Sequence, residues 1–416
     1  MERYSEYKDS GVQWLGEIPG HWARIPFRRV AFVKSNLVHP ADYMDYPQIA
    51  PDSIEKNSGR ILHWKSVAES NVESDNHLFF KGQILYSKIR PLLNKVAIAP
   101  FDGLCSADMY PIETHQDTKF LQYFMLSSAF LEGVTNATRD RVKMPKINKD
   151  ELGSIELCIP PLSEQRSIVS YLDDKCGKIE KMLEGKQKQI ELLAEMKQRI
   201  IADAVTHGLN PDVKMKATNI TWLPEIPEHW EMSKVNSHFK QRNEKVSDKD
   251  YPALSVSKQG VTPQLANVAL SNAEGSSRKL VKVGDYAVNS RSDRKGSCGV
   301  SKYEGSVSLI TIVLEPLNID GDYVHYLFRS NPWIEEFYRN GRGIVADLWT
   351  TNYQMMKSMY MPIPPLSEQR AIVSYLDDKT AKIDTLTSKL QQEIESIKEY
   401  KQRLISDVVT GQIKVC

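Results

Sequence analysis

The chain has 416 residues with 41% hydrophobic content, which is enough for two or three folded domains. It has no run of about 18 apolar residues and no basic-then-apolar leader, so we expect a cytoplasmic protein without membrane contact. The formal net charge is +1, from 54 basic and 53 acidic residues, whereas a lone DNA-binding domain usually has a larger basic excess. This balance either argues against nucleic acid or requires basic patches that acidic faces offset elsewhere.

Motifs of catalytic and metal sites are missing from the sequence. The five cysteines form no C-x-x-C pair and the nine histidines form no H-x-x-x-H or H-E-x-x-H group, so neither disulfides nor a zinc site is predicted. No G-x-x-x-x-G-K-[ST] phosphate loop or G-x-G-x-x-G fingerprint is present. The Asn-Pro-Trp at 331–333 lacks the second proline of an amino-methyltransferase motif. The sequence predicts a binding protein without catalytic activity of its own.

The first segment of the chain begins with an aromatic, proline-containing string. It reads W-L-G-E-I-P-G-H-W at residues 14–22, a composition more typical of packing and turns than of a site. Residues 81–90 give a turn glycine and an apolar run that ends in basic residues, and residues 95–99 give a second β-rich run. A helical pattern follows at 118–131. The mixture predicts an α/β domain of the mixed α+β kind.

Basic side chains concentrate at two places in this segment, the end of the 81–90 run and the turn-rich stretch 136–146. Arginine in such loops is typical of phosphate contacts and of bidentate guanine recognition, although a solvated surface loop has the same composition. The candidate DNA-binding residues here are Lys88, Arg90, Arg139, Arg141 and Lys143.

A long helix is predicted next. Pro160 and Pro161 exclude helix before them, Ser163 is an N-cap candidate, and Glu164 places a negative charge at the positive end of the helix dipole. Apolar positions then alternate by four and three, which indicates a coiled-coil seam. The seam comprises Leu172, Cys176, Ile179, Leu183, Lys186, Ile190, Leu193, Lys197, Ile200 and Ala204. The helix would run from 163 to 207, roughly 65 to 70 Å at about 1.5 Å per residue, with Gly208 as its stop.

The second segment repeats this order with a different sequence. The opening string returns at 222–230 with seven of nine residues identical, and 283–291 repeats the glycine, apolar run and basic end. A β-rich run follows at 308–314, a helical pattern at 323–337 and a turn-rich basic stretch at 338–349. The candidate DNA-binding residues of this segment are Arg291, Arg294, Lys295, Arg339, Arg342 and Trp349.

The long helix is also duplicated. Residues 159–180 and 363–384 differ at only four of 22 paired positions, and the second helix is predicted from Ser367 to Gly411. Its seam comprises Leu376, Thr380, Ile383, Thr387, Leu390, Ile394, Ile397, Lys401, Leu404 and Val408. The two lysines at matching seam positions either lie in the seam or lie beside it with Met196 and Tyr400 filling it. Each helix is the expected partner of the other.

A P-P-L-S-E-Q-R helix start found twice, each time after a divergent segment that opens with W-L-x-E-I-P-x-H-W, closely resembles the specificity subunits of Type I restriction-modification enzymes. The resemblance covers essentially the whole chain. It implies target recognition domains at 1–158 and 211–362, and conserved helices at 159–210 and 363–416 that pair as an antiparallel coiled coil. The two halves would then be related by a pseudo-twofold repeat.

The resemblance also implies partners and cofactors. Each recognition domain would bind one half of a bipartite, asymmetric site in double-stranded DNA, and the helices would separate the domains and bind two modification subunits. S-adenosylmethionine would be bound by the modification subunits, and ATP and magnesium by restriction subunits that translocate and cleave DNA, so no cofactor is expected on this chain.

Two other hypotheses remain at this point. One is a non-catalytic scaffold whose paired domains bind proteins rather than DNA, and the other is a stand-alone methyltransferase, which the missing cofactor motifs disfavour. Basic loops in the divergent segments favour DNA binding over the scaffold.

Overall fold

The computed structural model describes residues 2–139, 145–247, 249–264, 278–343 and 349–415. Within these ranges the chain forms two compact units. The first unit comprises Met1–Gln187 with Gln391–Cys416, and the second comprises Lys188–Leu390. Each unit contains one globular domain, part of the long helix that follows it and part of the other long helix. Among the described helices, none combines the length and the apolar composition that a membrane span requires.

The globular domain of the first unit consists of short strands and helices. Its strands are β1 (Tyr7–Asp9), β2 (Glu17–Pro19), β3 (Ala23–Pro26), β4 (Ala31–Val33), β5 (Leu37–Val38), β6 (Pro47–Ile49), β7 (Lys65–Ser66), β8 (Asn76–Phe79), β9 (Ile84–Ser87), β10 (Val96–Ile98), β11 (Gly103–Cys105), β12 (Met109–Thr114) and β13 (Glu156–Ile159). Its helices are α1 (Phe27–Val30), α2 (Val67–Ser70), α3 (Thr118–Leu126), α4 (Ser128–Ala137) and α5 (Lys149–Ser154).

Two sheets share the core of this domain. One has the strand order β10-β9-β12-β4 and the other β5-β8-β11-β6-β7, and the described pairings are antiparallel except that of β6 with β11. Successive side chains of a strand point to opposite faces. Ile84 and Tyr86 of β9 therefore join a large apolar cluster with α3 and α4, whereas Leu85 joins a smaller one. Burial on both faces explains why this strand has an uninterrupted apolar sequence.

The second unit repeats this plan. Its strands are β14 (Met215–Ile220), β15 (Leu223–Pro227), β16 (Glu231–Lys234), β17 (Phe239–Gln241), β18 (Lys245–Val246), β19 (Leu254–Ser257), β20 (Gly260–Pro263), β21 (Arg278–Val281), β22 (Tyr286–Asn289), β23 (Cys298–Val300), β24 (Gly305–Ser308), β25 (Thr311–Pro316) and β26 (Tyr360–Ile363). Its short helices are α7 (Val235–His238), α8 (Gly321–Arg329), α9 (Asn331–Arg339) and α10 (Tyr353–Met356). The order β17-β25-β22-β23 matches that of the four-stranded sheet in the first unit.

The predicted mixed α/β character of both domains is confirmed, with one correction. Each helical pattern, at 118–131 and at 323–337, is a pair of helices rather than a single helix. The first pair breaks at Ser127, whose hydroxyl accepts a hydrogen bond from the N–H of Phe130 and so caps α4. The second breaks at Ser330, before Pro332 at a first-turn position of α9. Apolar periodicity continues across both breaks, so it could not reveal them.

Two long helices, α6 (Leu162–His207) and α11 (Leu366–Val409), contain 46 and 44 residues. Ser163 and Ser367, which the sequence predicts as N-caps, lie inside the first turn instead. The carbonyl oxygens of Pro161 and Pro365 accept the first helical hydrogen bonds, at 3.0 and 2.9 Å, because proline φ suits a helix start. Gly208, with φ of +79°, follows the last residue of α6 as predicted.

The predicted seams are confirmed within each unit. Every predicted seam position of both helices is buried or half-buried, while most positions between them are exposed. Two ion pairs across the seam of the first unit, Lys186 with Glu393 and Lys401 with Glu180, show that the helices are antiparallel there. In the second unit Lys197 contacts Asp384 at 2.7 Å. Sustained apolar contact along the seam is what stabilises such a helix pair.

The seam lysines lie in the seam, and the alternative is wrong. Met196 and Tyr400, its proposed occupants, are 53% and 51% exposed. The ammonium of Lys401 contacts Glu180 at 2.5 Å in the first unit, and the same contact joins Lys197 and Asp384 in the second. Each lysine is therefore neutralised across the helix pair, as a register-fixing polar seam residue should be.

The two repeated motifs of the sequence meet at the start of each long helix, which we call the junction. In the first unit, Glu164 accepts hydrogen bonds from Trp22 Nε1 at 3.1 Å, from His21 Nε2 at 2.8 Å and from the hydroxyl of Tyr4. Burial raises the pKa of Glu164, but these hydrogen bonds outweigh it and hold the pKa below its ordinary value. The carboxylate therefore binds the opening string to the helix.

The second junction has the same chemistry. Glu368 accepts hydrogen bonds from Trp230 Nε1 at 3.0 Å and His229 Nε2 at 2.8 Å. The neighbouring glutamine, Gln369, donates to Pro364 O at 2.9 Å and accepts from the N–H of Asp320, the N-cap of α8. In the first unit Gln165 does the same with Pro160 and Asp117. The Glu and Gln of the repeated motif thus anchor each domain on its helix.

Candidate nucleic-acid interface

The predicted basic residues of the second domain lie on a backbone ladder. Thr350 pairs with Arg291 on one side and with Arg342 on the other, the latter through two backbone hydrogen bonds of 3.1 Å. Beside this ladder, the N–H of Ser292 donates to the carbonyl of Trp349 at 2.9 Å. Residues that are far apart in the sequence are thereby brought together at one end of the domain.

Buried side chains hold the turn after β22 in place. The buried hydroxyl of Tyr338 donates to the carbonyl oxygens of Asn289 at 3.0 Å and Arg294 at 3.3 Å, so it joins both arms of the turn after β22. Burial raises the pKa of Tyr338, which keeps this hydroxyl a donor at neutral pH. Thr351, which is fully buried, connects the ladder to α9 through Phe337. The backbone that carries the basic side chains is therefore held by the core.

Each cation of this turn has an acidic neighbour. Asp293 lies between two arginines, with Oδ1 at 3.0 Å from Arg291 Nε and Oδ2 at 3.7 Å from Arg294 Nε. Lys295 contacts both oxygens of Glu335 at 3.1 Å. The exposed pairs of Arg294 and Lys295 contribute only about 0 to 1 kcal/mol each, so these two cations can exchange a carboxylate for a DNA phosphate at little cost.

The last two candidates lie at the rim of the same turn. Arg339, at the end of α9, pairs with Glu336 at 3.4 Å and is 62% exposed. Trp349 is 36% exposed, so part of its ring is available for stacking or apolar contact. Both side chains face solvent at a site where Arg342 is also exposed.

The first domain has the same backbone arrangement with different side chains. Ile89 pairs with Lys146 as Arg291 pairs with Thr350, and the N–H of Arg90 donates to the carbonyl of Pro145 at 2.9 Å. Arg90 is exposed and has a φ of +46°, a left-handed conformation that is rare outside glycine and asparagine. The ammonium of Lys88 lies 5.4 Å from the centre of the Tyr110 ring. Two of the predicted residues are thus placed on one turn.

The other candidates of the first domain are placed less fully. Arg139 is exposed just after α4 and donates to Asn136 Oδ1 at 3.2 Å. Helix α4 packs against the short 3-10 turn Pro91–Leu93, which follows Arg90, so Arg139 belongs to the same end of the domain. Arg141 and Lys143 lie outside the described residues.

Sequence reasoning missed the acidic members of these clusters. Asp293 could have been noticed, because S-R-S-D-R places it between the two arginines. Glu335 could not, since it reaches Lys295 from a different helix. Within the described ranges, no group of histidine, cysteine or acidic side chains is arranged to hold a metal ion. The four described cysteines are buried and unbridged.

Comparisons with known proteins show the family of this chain. The sequence model of the family described as Type I restriction modification DNA specificity domain matches residues 28–192 and 227–396. The EcoDI specificity subunit of Escherichia coli is 44% identical over 159 residues, which are 38% of this chain and 36% of that relative. The MjaVIII specificity subunit of Methanocaldococcus jannaschii is 23% identical over 75% of each chain. A solved chain from a study of complex assembly and conformational transition in the type I R-M system shares the fold, with a TM-score of 0.71 at 16% identity over 95% of this chain and 99% of that one.

Proposed function

Because this chain belongs to the family of Type I restriction modification DNA specificity domains, we propose that it selects the DNA site of such a system. Each globular domain binds one half of a bipartite, asymmetric site. The observation that carries the proposal is the pairing of a duplicated junction with two unlike turns. The two domains have the same junction but different basic turns, so each can bind a different half-site on one duplex. A dimeric repressor, whose two halves are identical, binds a palindrome instead.

The basic turns are the proposed DNA contacts. In the first domain these are Lys88, Arg90, Arg139, Arg141 and Lys143, and in the second Arg291, Arg294, Lys295, Arg339, Arg342 and Trp349. An arginine bidentate to guanine should cost about 1 to 3 kcal/mol when replaced by alanine and should relax one base position. Loss of a phosphate contact should weaken binding to all sequences alike. It should also reduce the slope of log affinity against log salt concentration by about one.

The test is binding of duplex DNA by the full chain together with its modification subunits, measured at several salt concentrations. We expect sequence-selective binding that weakens steeply as salt rises. In cells, deletion of the gene should remove one bipartite adenine methylation mark from the genome. A protein-binding scaffold would instead retain its protein partners while showing no salt-dependent DNA binding.

We place the binding sites of the modification subunits at the ends of the long helices. Residues 181–196 and 385–400, in the middle of the two copies, are identical at only four of 16 positions, against 18 of 22 at the helix starts. Exposed residues have no packing reason to stay identical. Leu162 and Arg166 are nevertheless exposed and identical to Leu366 and Arg370. A partner that binds twice in the same way accounts for this.

Charge reversal tests this placement. Arg166→Glu or Arg370→Glu should each remove one of two modification subunits, and the double variant both, because each substitution replaces a cation with an anion at one contact. Native mass spectrometry of the purified complex gives the stoichiometry. Lys181→Glu, an equally exposed change in the divergent middle of α6, is the matched control and should leave two subunits bound. Two subunits retained on the double variant would place the contact elsewhere.

The chain supplies recognition but no chemistry in this proposal. S-adenosylmethionine belongs to the modification subunits, and ATP and magnesium to the restriction subunits. The absence of cofactor and nucleotide motifs from the sequence supports this division. Purified chain with S-adenosylmethionine and DNA should transfer no methyl group until modification subunits are added. Transfer by this chain alone, free of contaminating partner, would refute the division.

A further inference from the structure

The carboxylate of Asp293 occupies an unexpected place for a phosphate-binding surface. It lies between Arg291 and Arg294 and lowers the positive charge of a turn whose cations would otherwise attract DNA. An acid in this position weakens binding to every phosphate nearby. Its benefit must therefore come from something other than general DNA affinity, and the geometry of Arg291 indicates what that is.

Asp293 engages one particular edge of the Arg291 guanidinium. The Nε–H donates to Asp293 Oδ1 at 3.0 Å, which leaves the two terminal nitrogens, Nη1 and Nη2, as a parallel pair of donors. Guanine presents two acceptors, O6 and N7, in the major groove, and an arginine fork matches them bidentately. Fixing Nε fixes the plane in which that fork lies. The side chain of Arg291 is 42% exposed.

The backbone that carries Arg291 is fixed as well. The residue is paired with Thr350, and its N–H donates to Asn289 Oδ1 at 3.2 Å. An arginine held at both backbone and Nε loses less side-chain freedom when it binds than a mobile one does. Lys295 differs from Arg291. Its ammonium contacts Glu335 as a point charge and has no plane that a hydrogen bond could orient.

From this geometry we infer that Arg291 recognises a guanine in the half-site of the second domain and that Asp293 is the positioning residue that presents its fork. The inference rests on the proposed function and deepens it by naming the base and the residue pair. The first domain has no arginine–aspartate pair at the equivalent positions. Counted from the equivalent bridged residue Ile89, the positions of Asp293 and Arg294 are Pro91 and Leu92.

Two substitutions at Asp293 separate positioning from charge. Both Asp293→Ala and Asp293→Asn remove one negative charge, but only asparagine retains an oxygen that accepts from Nε. With the full chain and its modification subunits, binding is measured against duplexes in which the second half-site is randomised and the bound fraction is sequenced. We expect wild type to require guanine at one position. Asp293→Asn should retain that requirement and bind all sequences more tightly.

Asp293→Ala should lower the discrimination at that one position about tenfold, the loss expected when a bidentate contact is impaired, and leave other positions unchanged. Arg291→Lys keeps the charge but removes the fork, so it should lower the same discrimination at least as much. The matched control is Glu335→Ala, which also removes an acid beside a cation of this turn. It should raise affinity for all sequences and change discrimination at none.

Equal and uniform effects of Asp293→Ala, Asp293→Asn and Glu335→Ala would overturn the inference, because Asp293 would then act through its charge alone. Retention of the guanine requirement by Arg291→Lys would overturn it as well, because the fork would then play no part in recognition. These outcomes differ from failure of the proposed function, in which wild-type complex would show no sequence preference at either half-site. All the substituted side chains are at the surface, and unchanged thermal unfolding of each variant confirms an intact fold.

Discussion

The two junctions and the two basic turns differ in opposite ways. At each junction a glutamate binds the same His-Trp pair and the next residue, a glutamine, binds the N-cap of a short helix, so the chemistry is nearly identical in both units. At the turns the backbone ladder is retained while the side chains change, with Ile89 in one domain where the other has Arg291. The buried polar groups of the junctions, such as Gln165 and Gln369, tolerate little change because each needs its partner. Exposed side chains on a fixed backbone have no such limit. The residues of the basic turns can therefore differ between the two domains while the junctions stay the same.

Exchange of a whole domain is the strongest way to sharpen this comparison. Residues 222–361 are replaced by the equivalent domain of another specificity subunit that has histidine and tryptophan at the positions of His229 and Trp230. Glu368 of the host then finds its usual partners. We expect one half of the methylated site to change, with the other half and the spacer unchanged. Methylome sequencing measures all three.

A change in both halves at once would break the assignment of one domain to one half-site. The control exchanges the same domain with a donor whose histidine-tryptophan pair has been replaced by alanines. Its chain should assemble poorly, because Glu368 would keep a charge without its two donors.

Lengthening the two long helices tests whether they set the length of the spacer between the half-sites. One matched heptad inserted into each helix, between Ile190 and Leu193 and between Ile394 and Ile397, keeps the seam aligned. The helices gain about 10 Å, against about 3.4 Å of rise per base pair. We expect both half-sequences unchanged and a spacer longer by one to about three base pairs. Three is the upper limit, because oblique crossing of the DNA axis and rotation of the duplex both reduce the gain.

Mapping the methylated adenines in cells that carry the lengthened chain measures the spacer directly. The control inserts the heptad into one helix alone, which shifts that seam against its partner and should abolish assembly. An active chain that kept the original spacer would show that something other than the helix pair sets the distance.

The sequence predicted the long helices almost completely, because a heptad seam is a local pattern that repeats over many turns. It also predicted the duplicated α/β domains. It did not reveal the breaks at Ser127 and Ser330, since the apolar period runs through them. The helix starts at Leu162 and Leu366 were missed by one residue, because proline can itself supply the first acceptor.

The candidate site was predicted in outline only. The basic residues could be found by composition, but their pairing with acids depends on contacts such as Lys295 with Glu335, which are distant in sequence. The role of Glu164 was assigned to the helix dipole, whereas its partners are Tyr4, His21 and Trp22. Such side-chain contacts follow from tertiary packing, and no local period encodes them.

Alanine substitutions at Gly411 and Gly208 allow a comparison of the C-terminal ends of the two long helices. A Cβ on Gly411 would lie 2.4 Å from Pro19 Cδ, and its φ of +76° is unfavourable for alanine. Gly411→Ala should therefore destabilise the first unit by about 2 to 4 kcal/mol, from left-handed strain and overpacking together. At Gly208 the nearest atom, Glu368 Oε1, is farther away, at 3.0 Å, so Gly208→Ala should cost the second unit only about 1 to 2 kcal/mol, mostly from left-handed strain.

Hydrogen exchange followed by mass spectrometry resolves the two units separately. Gly185→Ala is the matched control, because Gly185 lies inside α6 with open space around a new Cβ, and it should stabilise the helix by about 0.5 to 1 kcal/mol. Equal losses at Gly411 and Gly208 would mean that the contact with Pro19 is relieved without cost.

The last comparison is between the two junction glutamates. Glu164 has three donors and a side chain only 10% exposed, whereas Glu368 has two donors and is 26% exposed. Glu164→Gln should cost the first unit about 1.5 to 3 kcal/mol at neutral pH, the range for hydrogen bonds to a charged group, and Glu368→Gln should cost the second unit less.

The pH dependence identifies the cause of the loss at Glu164. Its pKa in the folded protein is below the ordinary value of 4.5, so the stability it contributes is present above pH 4.5 and disappears as the pH falls through the folded pKa. Glutamine does not titrate. The gap between wild type and Glu164→Gln, followed by hydrogen exchange in the first unit, should therefore be widest near neutral pH and close on acidification. A gap of constant size across that range would mean that glutamine fails through its shape, and that the charge of Glu164 adds nothing to the junction.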